Sequence, residues 1–192
     1  MYGNTSLHYS ILYDSDDLQK LASNKELIDL KNYKGRTALM LASKLCNMQH
    51  VKLLVENNAS VSLTDNTGKT ALLHASKSAD STEIAEYLIQ YGADPLVLDQ
   101  NHNSGIHFSA KTGNLNMLKL FRKHGLPIDQ FNYKKKTPLM IAALSCRFDV
   151  ASFLTQNGAD MLKRYCPKSN TVFEHALMGK CDKIIDLFIS KN

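Results

Sequence analysis

A chain of 192 residues with 44% apolar and 21% charged residues has the composition of a folded domain, not of a disordered or low-complexity segment. No run approaches 18 uninterrupted apolar residues, and residues 1–10 lack the basic-then-apolar order of a secretory leader, so a cytoplasmic or nuclear setting is expected, with no membrane partner. A net charge of +5 permits an acidic partner without demanding nucleic acid.

Taken from the N-terminus, six segments headed by Thr or Ser recur: TSLHYS from Thr5, TALMLAS from Thr37, TALLHAS from Thr70, SGIHFSA from Ser104, TPLMIAA from Thr137 and TVFEHAL from Thr171. The intervals are 32, 33, 34, 33 and 34 residues, and the extra residue in the longer ones belongs in a loop. A second signal keeps the same phase: Asn57-Asn58-Ala59, Tyr91-Gly92-Ala93-Asp94, His124-Gly125-Leu126 and Asn157-Gly158-Ala159-Asp160. Two independent signals on one period make a repeat array of turn, helix, short link and second helix.

Each heading hydroxyl can accept from an early backbone N–H and so start a first helix. Pro138 stands at the first helical position, where its missing N–H costs nothing. Small pairs follow, such as Ala42-Ser43 and Ala142-Ala143, which allow neighbouring helices to approach closely. The second helices carry apolar residues at helical spacing: Val51/Leu53/Leu54, Ile84/Tyr87/Leu88, Met117/Leu120/Phe121, Val150/Phe153/Leu154 and Ile184/Leu187/Phe188. Gly92, Gly125 and Gly158 fall just past them, where a helix end favours the left-handed conformation, and Asn58 takes that place once. Charged residues around the first and last units (Asp14, Asp16, Asp17, Lys20, Lys25, Glu26; Lys180, Asp182, Lys183, Asp186) suit end repeats that face water.

The period, the T-x-L-x-x-A core and the following Gly-Ala-Asp resemble the ankyrin repeat, most clearly in GKTALLHAS with EYLIQYGAD and in TPLMIAA with FLTQNGAD. The resemblance implies an all-α fold: an ankyrin-repeat solenoid of stacked helix-turn-helix units with turn or β-hairpin fingers. It implies one domain over residues 1–192, with units at about 1–31 (a cap), 32–64, 65–98, 99–131, 132–164 and 165–192 (a cap). His8 and His107 match the family histidine that bridges adjacent repeats, while Met40, Leu73, Met140 and Glu174 replace it elsewhere. Asp65 and Asp99 match the residue that orders the turn. The family glycine after the first helix is matched by Gly113, with Asn47, Asp80 and Arg147 near that spot in other units.

Little in the chain points to chemistry. There is no Gly-rich phosphate loop, and Gly3, Gly35 and Gly68 read as turn glycines. The spacings of Cys46, Cys146, Cys166 and Cys181 fit neither a zinc pattern nor a CxxC pair, so four reduced thiols are expected. His74 and His175 fall on first helices three units apart, too distant to share a ligand. No cofactor, metal site or catalytic group is expected, and the chain reads as a non-enzyme.

In the resembled family the variable contact positions lie four, three and one residues before the motif Thr and seven and eight after it. Applied to all six units, these offsets select 30 positions, of which nine are Lys or Arg and none is Asp or Glu. Tyr2, Tyr13, Tyr33 and Tyr133 lie among the cations; Met1 is also selected. The candidate contact set is Tyr33, Lys34, Arg36, Lys44, Lys69, Lys77, Lys111, Tyr133, Lys134, Lys136 and Lys168. Tyrosine and arginine anchor interfaces, and a one-signed surface steers an acidic partner. The expected partner is an acidic or phosphorylated protein, bound by a monomer. Nucleic acid is the alternative, since interleaved Lys and Tyr can track phosphates and stack bases.

Overall fold

The computed structural model describes residues 3–190, so Met1 and Tyr2 lie outside the described residues. The described residues form twelve helices and no strand, in two compact units covering residues 1–100 and 101–192. The first unit holds α1 (Ser6–Tyr13), α2 (Leu18–Ala22), α3 (Ala38–Lys44), α4 (Met48–Glu56), α5 (Ala71–Ala75) and α6 (Thr82–Gln90). The second holds α7 (Gly105–Thr112), α8 (Leu115–Lys123), α9 (Pro138–Leu144), α10 (Phe148–Gln156), α11 (Val172–Gly179) and α12 (Asp182–Ile189). Within each unit first helices pack on first helices (α1 on α3, α3 on α5; α7 on α9, α9 on α11) and second helices on second helices (α2 on α4, α4 on α6; α8 on α10, α10 on α12). This is the all-α stack of helix pairs that the period implies, and its fingers are hydrogen-bonded turns.

The heading hydroxyls start the first helices. Thr70, Thr137 and Thr171 each accept from the N–H three residues on at 3.3 Å, and Thr37 does so at 3.4 Å. Such a cap contributes about 1 kcal/mol. At Thr5 and Ser104 the matching histidines reach back instead. The Thr5 N–H donates to His8 Nδ1 at 3.3 Å and the Ser104 N–H to His107 Nδ1 at 3.2 Å. With Nδ1 accepting, Nε2 carries the proton and donates to the carbonyls of Arg36 (2.7 Å) and Gln130 (3.0 Å), 28 and 23 residues onward. Both rings thus tie a first helix to the chain leading into the next one. Burial lowers the His8 pKa, opposed by its bond to Arg36, which keeps the ring neutral as that tautomer requires.

Second helices begin at side-chain caps where the sequence supplies them: Asn47 Oδ1 accepts from the His50 N–H (3.0 Å) and Asn114 Oδ1 from the Met117 N–H (2.9 Å). They end at left-handed residues, with Asn58 at φ 67° in the place that Gly92, Gly125 and Gly158 fill at 90°, 85° and 87°. The turn after the first helix departs from the sequence reading. The left-handed residue matching Gly113 is Asp14 (φ 51°), Cys46 (φ 58°), Cys146 (φ 55°) and Lys180 (φ 55°), one position before Asn47 and Arg147 where those two occur. Asn47 is occupied in capping α4, and Cys46 bears a left-handed cost of roughly 1–2 kcal/mol.

The two 34-residue intervals place their extra residue in different loops. One lies between α5 and α6, where residues 78–81 take the place of residues 45–47, with Ser81 Oγ donating to the Ala75 carbonyl. The other lies in the 157–171 connection between α10 and α11, against 124–137 in the preceding repeat.

The cysteines need a correction. Cys146 and Cys181 form a disulfide, with Cα atoms 5.3 Å apart, while Cys46 and Cys166 are free. Their separation of 35 residues is close to one period, so the turn after α9 and the start of α12 come to adjacent stations. Metal and CxxC spacings do not sample that relation. The last helix pair also differs from a purely polar end: beside exposed Lys180, Asp182, Lys183 and Asp186 it exposes Phe173, Leu177, Met178 and Ile189.

The core is the row two residues past the first five heading hydroxyls (Leu7, Leu39, Leu72, Ile106, Leu139), joined by Val51, Leu54, Ile84, Leu88, Met117, Phe121, Val150 and Leu154, all at most 3% exposed. One pair is size-matched. Ala38, Ala71, Pro138 and Val172 follow their caps, but Gly105 follows Ser104, and a Cβ there would overlap the ring of Phe121. Phe121 is fully buried and cannot swing clear. Gly105→Ala is therefore expected to cost roughly 1–3 kcal/mol in urea unfolding, although Ala is the better helix former, and Phe121→Leu in the same chain is expected to recover part of the loss. A stabilised Gly105→Ala, or strictly additive effects, would contradict this packing.

Candidate functional site

Five residues before each heading hydroxyl stands an Asn or Asp in four cases: Asn32, Asp65, Asp99 and Asn132. A short side-chain acceptor there gathers the backbone N–H groups of a tight turn. Asn32 Oδ1 accepts from the N–H of Lys34 (3.0 Å) and Arg36 (3.1 Å). Asp65 Oδ1 accepts from the N–H of Thr67 (2.8 Å) and Lys69 (3.1 Å) and from the Thr67 hydroxyl (2.6 Å). Asn132 Oδ1 accepts from the Lys136 N–H (3.1 Å). The turns at Asn32, Asp65 and Asn132 each close with a backbone pair, for example Asp65 N–H to the Lys69 carbonyl at 2.9 Å. Successive fingers are joined by one backbone bond each: Asn66 N–H to the Lys34 carbonyl (3.1 Å), Gln100 N–H to Thr67 (3.0 Å) and, in the second unit, Tyr133 N–H to Asn101 (3.0 Å). The last finger has Cys166 at this station and closes on Ser169, whose N–H donates to the Cys166 carbonyl at 2.9 Å.

The same station also reaches backward, to the residue just before the preceding hydroxyl. Asn32 Nδ2 donates to Asn4 Oδ1 (2.9 Å) and Asn132 Nδ2 to Asn103 Oδ1 (2.8 Å). Arg36 Nε lies 3.6 Å from Asp65 Oδ2, and Lys69 Nζ 3.3 Å from Asp99 Oδ2. Amide therefore meets amide and cation meets carboxylate. In this register Lys136 would meet Cys166, which offers no carboxylate.

These contacts sort the cations suggested by the sequence. In the first unit Tyr33, Lys34, Lys44 and Lys77 are exposed, Arg36 is partly exposed over Asp65, and Lys69 is buried between Asp99 and the Thr67 hydroxyl (2.8 Å). In the second unit Lys111, Tyr133, Lys134 and Lys168 are exposed, Lys136 is half-buried, and the Tyr133 ring stacks on His102 with centroids 3.9 Å apart. Arg36 and Lys69 thus hold the array together. The sequence reading missed Asn32 and Asn132, whose signal was the constant offset of five before the hydroxyl, and missed the partner of His74, which donates from Nε2 to Asp65 Oδ2 at 2.9 Å.

The second unit contains a cleft of about 320 Å³ between the Tyr133–Lys136 finger and the first helices α7 and α9. Lys111, Lys134 and Lys136 line it, Phe108, Ile141 and Leu144 form its apolar wall, and no carboxylate reaches it. Burial, and then the neighbouring Lys134, lowers the Lys136 pKa. Among the described residues no group of three or more His, Cys, Asp or Glu is placed to hold a metal ion, and no helix is long and apolar enough to cross a membrane.

Sequence comparison agrees with the architecture. A family model described as ankyrin repeats (3 copies) matches residues 7–99 and 93–165. A stretch of 73 residues, 38% of this chain and 16% of the relative, is 30% identical to the probable E3 ubiquitin-protein ligase XBOS31 of Oryza sativa subsp. japonica. A stretch of 59 residues, 31% of this chain and 13% of the relative, is 37% identical to the E3 ubiquitin-protein ligase XB3 of the same organism. The matched chain thus spans less than a fifth of the length of either relative.

The buried Asp65–His74 pair under the second finger sets a pH dependence. For Asp65 burial opposes the carboxylate, but the bonds from Thr67, the Lys69 N–H and His74 outweigh it and hold its pKa below the ordinary carboxylate range. Burial lowers the His74 pKa to about 4 against the pull of Asp65, whose charge Arg36 already balances. His74 Nδ1 meets no partner among the described residues, so a proton there would be buried without an acceptor. The unfolded chain takes up that proton at its ordinary value of 6.5, before the folded chain does. Stability is therefore complete above pH 6.5 and falls as the pH is lowered from 6.5 to 4, by on the order of 3 kcal/mol. Thermal melts are expected to show this fall, and His74→Gln, which keeps a donor to Asp65, is expected to remove most of it, leaving the share of His8. An unchanged slope in His74→Gln would contradict the assignment.

Proposed function

We propose, because the chain belongs to the ankyrin-repeat family, that it works as a non-catalytic interaction module whose client is an acidic or phosphorylated protein. One observation carries the reading: the 30 positions selected by the family's contact offsets contain nine cations and no acid. Ordered fingers support it, since side chains on a turn already fixed by Asn32, Asp65 and Asn132 lose less freedom when a partner docks. Tyr33 and Tyr133 are the aromatic anchors in this scheme, and Lys34, Lys44, Lys77, Lys111, Lys134, Lys136 and Lys168 supply the steering field. Arg36 and Lys69 contribute through the scaffold, because breaking a buried ion pair costs several kcal/mol, about 3–5.

A monomer in the cytoplasm or nucleus is part of the proposal. The ligase activity in the relatives' names is not carried to this chain on an overlap of 16% and 13% of their lengths. Binding of nucleic acid is disfavoured because lysines on helices and turns offer no readout of base edges.

The test is capture of a client in rising salt. Capture is expected to fall steeply as the ionic strength rises from about 0.05 to 0.5 M, as screening shortens the reach of the charges. Lys44/Lys134/Lys136/Lys168→Glu is expected to lose the client while the protein melts as before. Capture indifferent to salt and to the charge reversals would sink the reading, and a gel shift with single-stranded nucleic acid at physiological salt would replace it.

A further inference from the structure

The cleft of the second unit has a feature that the general charge of the surface does not explain. Arg36, Lys69 and Lys136 occupy the same place, one residue before the heading hydroxyl. The first two meet a buried aspartate at the next finger station. Lys136 has Cys166 at that station, and no ion pair to Lys136 is present among the described residues. Lys136 is half-buried and lines, with Lys134 and with Lys111 from α7, a space with no carboxylate in its lining. Three cations from two elements line this space without a counter-ion, and burial of Lys136 together with the charge of Lys134 already lowers its pKa.

We propose that this cleft is a phosphomonoester subsite, taking one phosphorylated side chain of the client among Lys111, Lys134 and Lys136 while the apolar residue next to it in the client lies on Phe108, Ile141 and Leu144. The inference rests on the protein-interaction reading above and adds the chemical class of the recognised group. A phosphomonoester carries close to two negative charges and three acceptor oxygens, matching three ammonium groups, whereas a carboxylate brings one charge and two oxygens. The volume of about 320 Å³ exceeds what a phosphate fills, and part of the remaining wall, Phe108, Ile141 and Leu144, is apolar, which suits a hydrophobic neighbour. The frame is fixed before binding: the Lys136 N–H is held by Asn132 and the Tyr133 N–H by the Asn101 carbonyl.

The test uses the full chain, immobilised, and four degenerate peptide libraries with flanking Leu or Ile. Their central residue is phosphoserine, phosphotyrosine, Glu or unphosphorylated Ser. The phosphorylated libraries are expected to be retained about tenfold or more over the Glu and Ser libraries, the scale of one charge-assisted hydrogen bond, and inorganic phosphate is expected to compete. Lys134→Gln and Lys136→Gln are each expected to lose about that factor. Cys166→Asp, which removes no lysine and restores the missing carboxylate, is expected to lose it too while raising the melting temperature. Equal retention of all four libraries, retention unmoved by Lys136→Gln and Cys166→Asp, or competition by a single-stranded oligonucleotide as effective as by phosphopeptide would each overturn the subsite. Loss of the subsite with salt-sensitive client capture intact leaves the general reading standing. Salt-indifferent capture removes that reading itself.

Discussion

The finger station five residues before each helix cap does two things at once. Facing its own turn, an Asn or Asp oxygen gathers the amides that would otherwise be left without partners, which makes the finger rigid. Facing the preceding repeat, the same side chain meets the residue just ahead of that repeat's cap. The contacts run Asn4 with Asn32, Arg36 with Asp65, Lys69 with Asp99 and Asn103 with Asn132. Each pair is matched in kind, because burying a charge beside a neutral amide, or a carboxylate beside nothing, would cost more than the fold can lose. The matching recurs within each of the two compact units.

This arrangement changes the meaning of a basic surface. Counting cations overstates what is available to a partner, since two of them neutralise aspartates that order the turns. It also makes a mismatch informative. Cys166 breaks the pattern of paired stations, and the cation it leaves behind lies in a cleft with two more lysines and an apolar wall. On the proposed reading, a fixed scaffold with convergent cations serves recognition, with specificity set by which charges remain uncompensated. The Asp65–His74–Arg36 group shows the opposite outcome: there the charges are balanced internally, and the histidine is kept neutral by burial.

Much of the fold was legible because the signals are local and periodic. A hydroxyl before an apolar run, helical spacing in the second helix, and Gly or Asn at a left-handed end each follow from the backbone of a few residues, and the structure places them as read. The bridging histidines were legible through resemblance. What was not legible depends on side chains one period apart. Sequence spacing could place Arg36 and Lys69 on the fingers but could not show that Asp65 and Asp99 lie against them. The Cys146–Cys181 bond needs the stacking geometry before its 35-residue separation has meaning. The left-handed turn at Cys46 was hidden because a cysteine carries no sign of that conformation, and its neighbour Asn47 imitated it while serving as a cap.

The central claim is that the Asn and Asp stations hold the fingers rigid before any partner arrives. Amide hydrogen exchange on the free protein measures this directly. The Arg36, Lys69 and Lys136 amides, each donating to a station side chain, should exchange far more slowly than the Asn170 amide, whose finger has Cys166 instead. If those three amides exchanged as fast as that of Asn170, the fingers would not be preformed and the account of the surface would be contradicted.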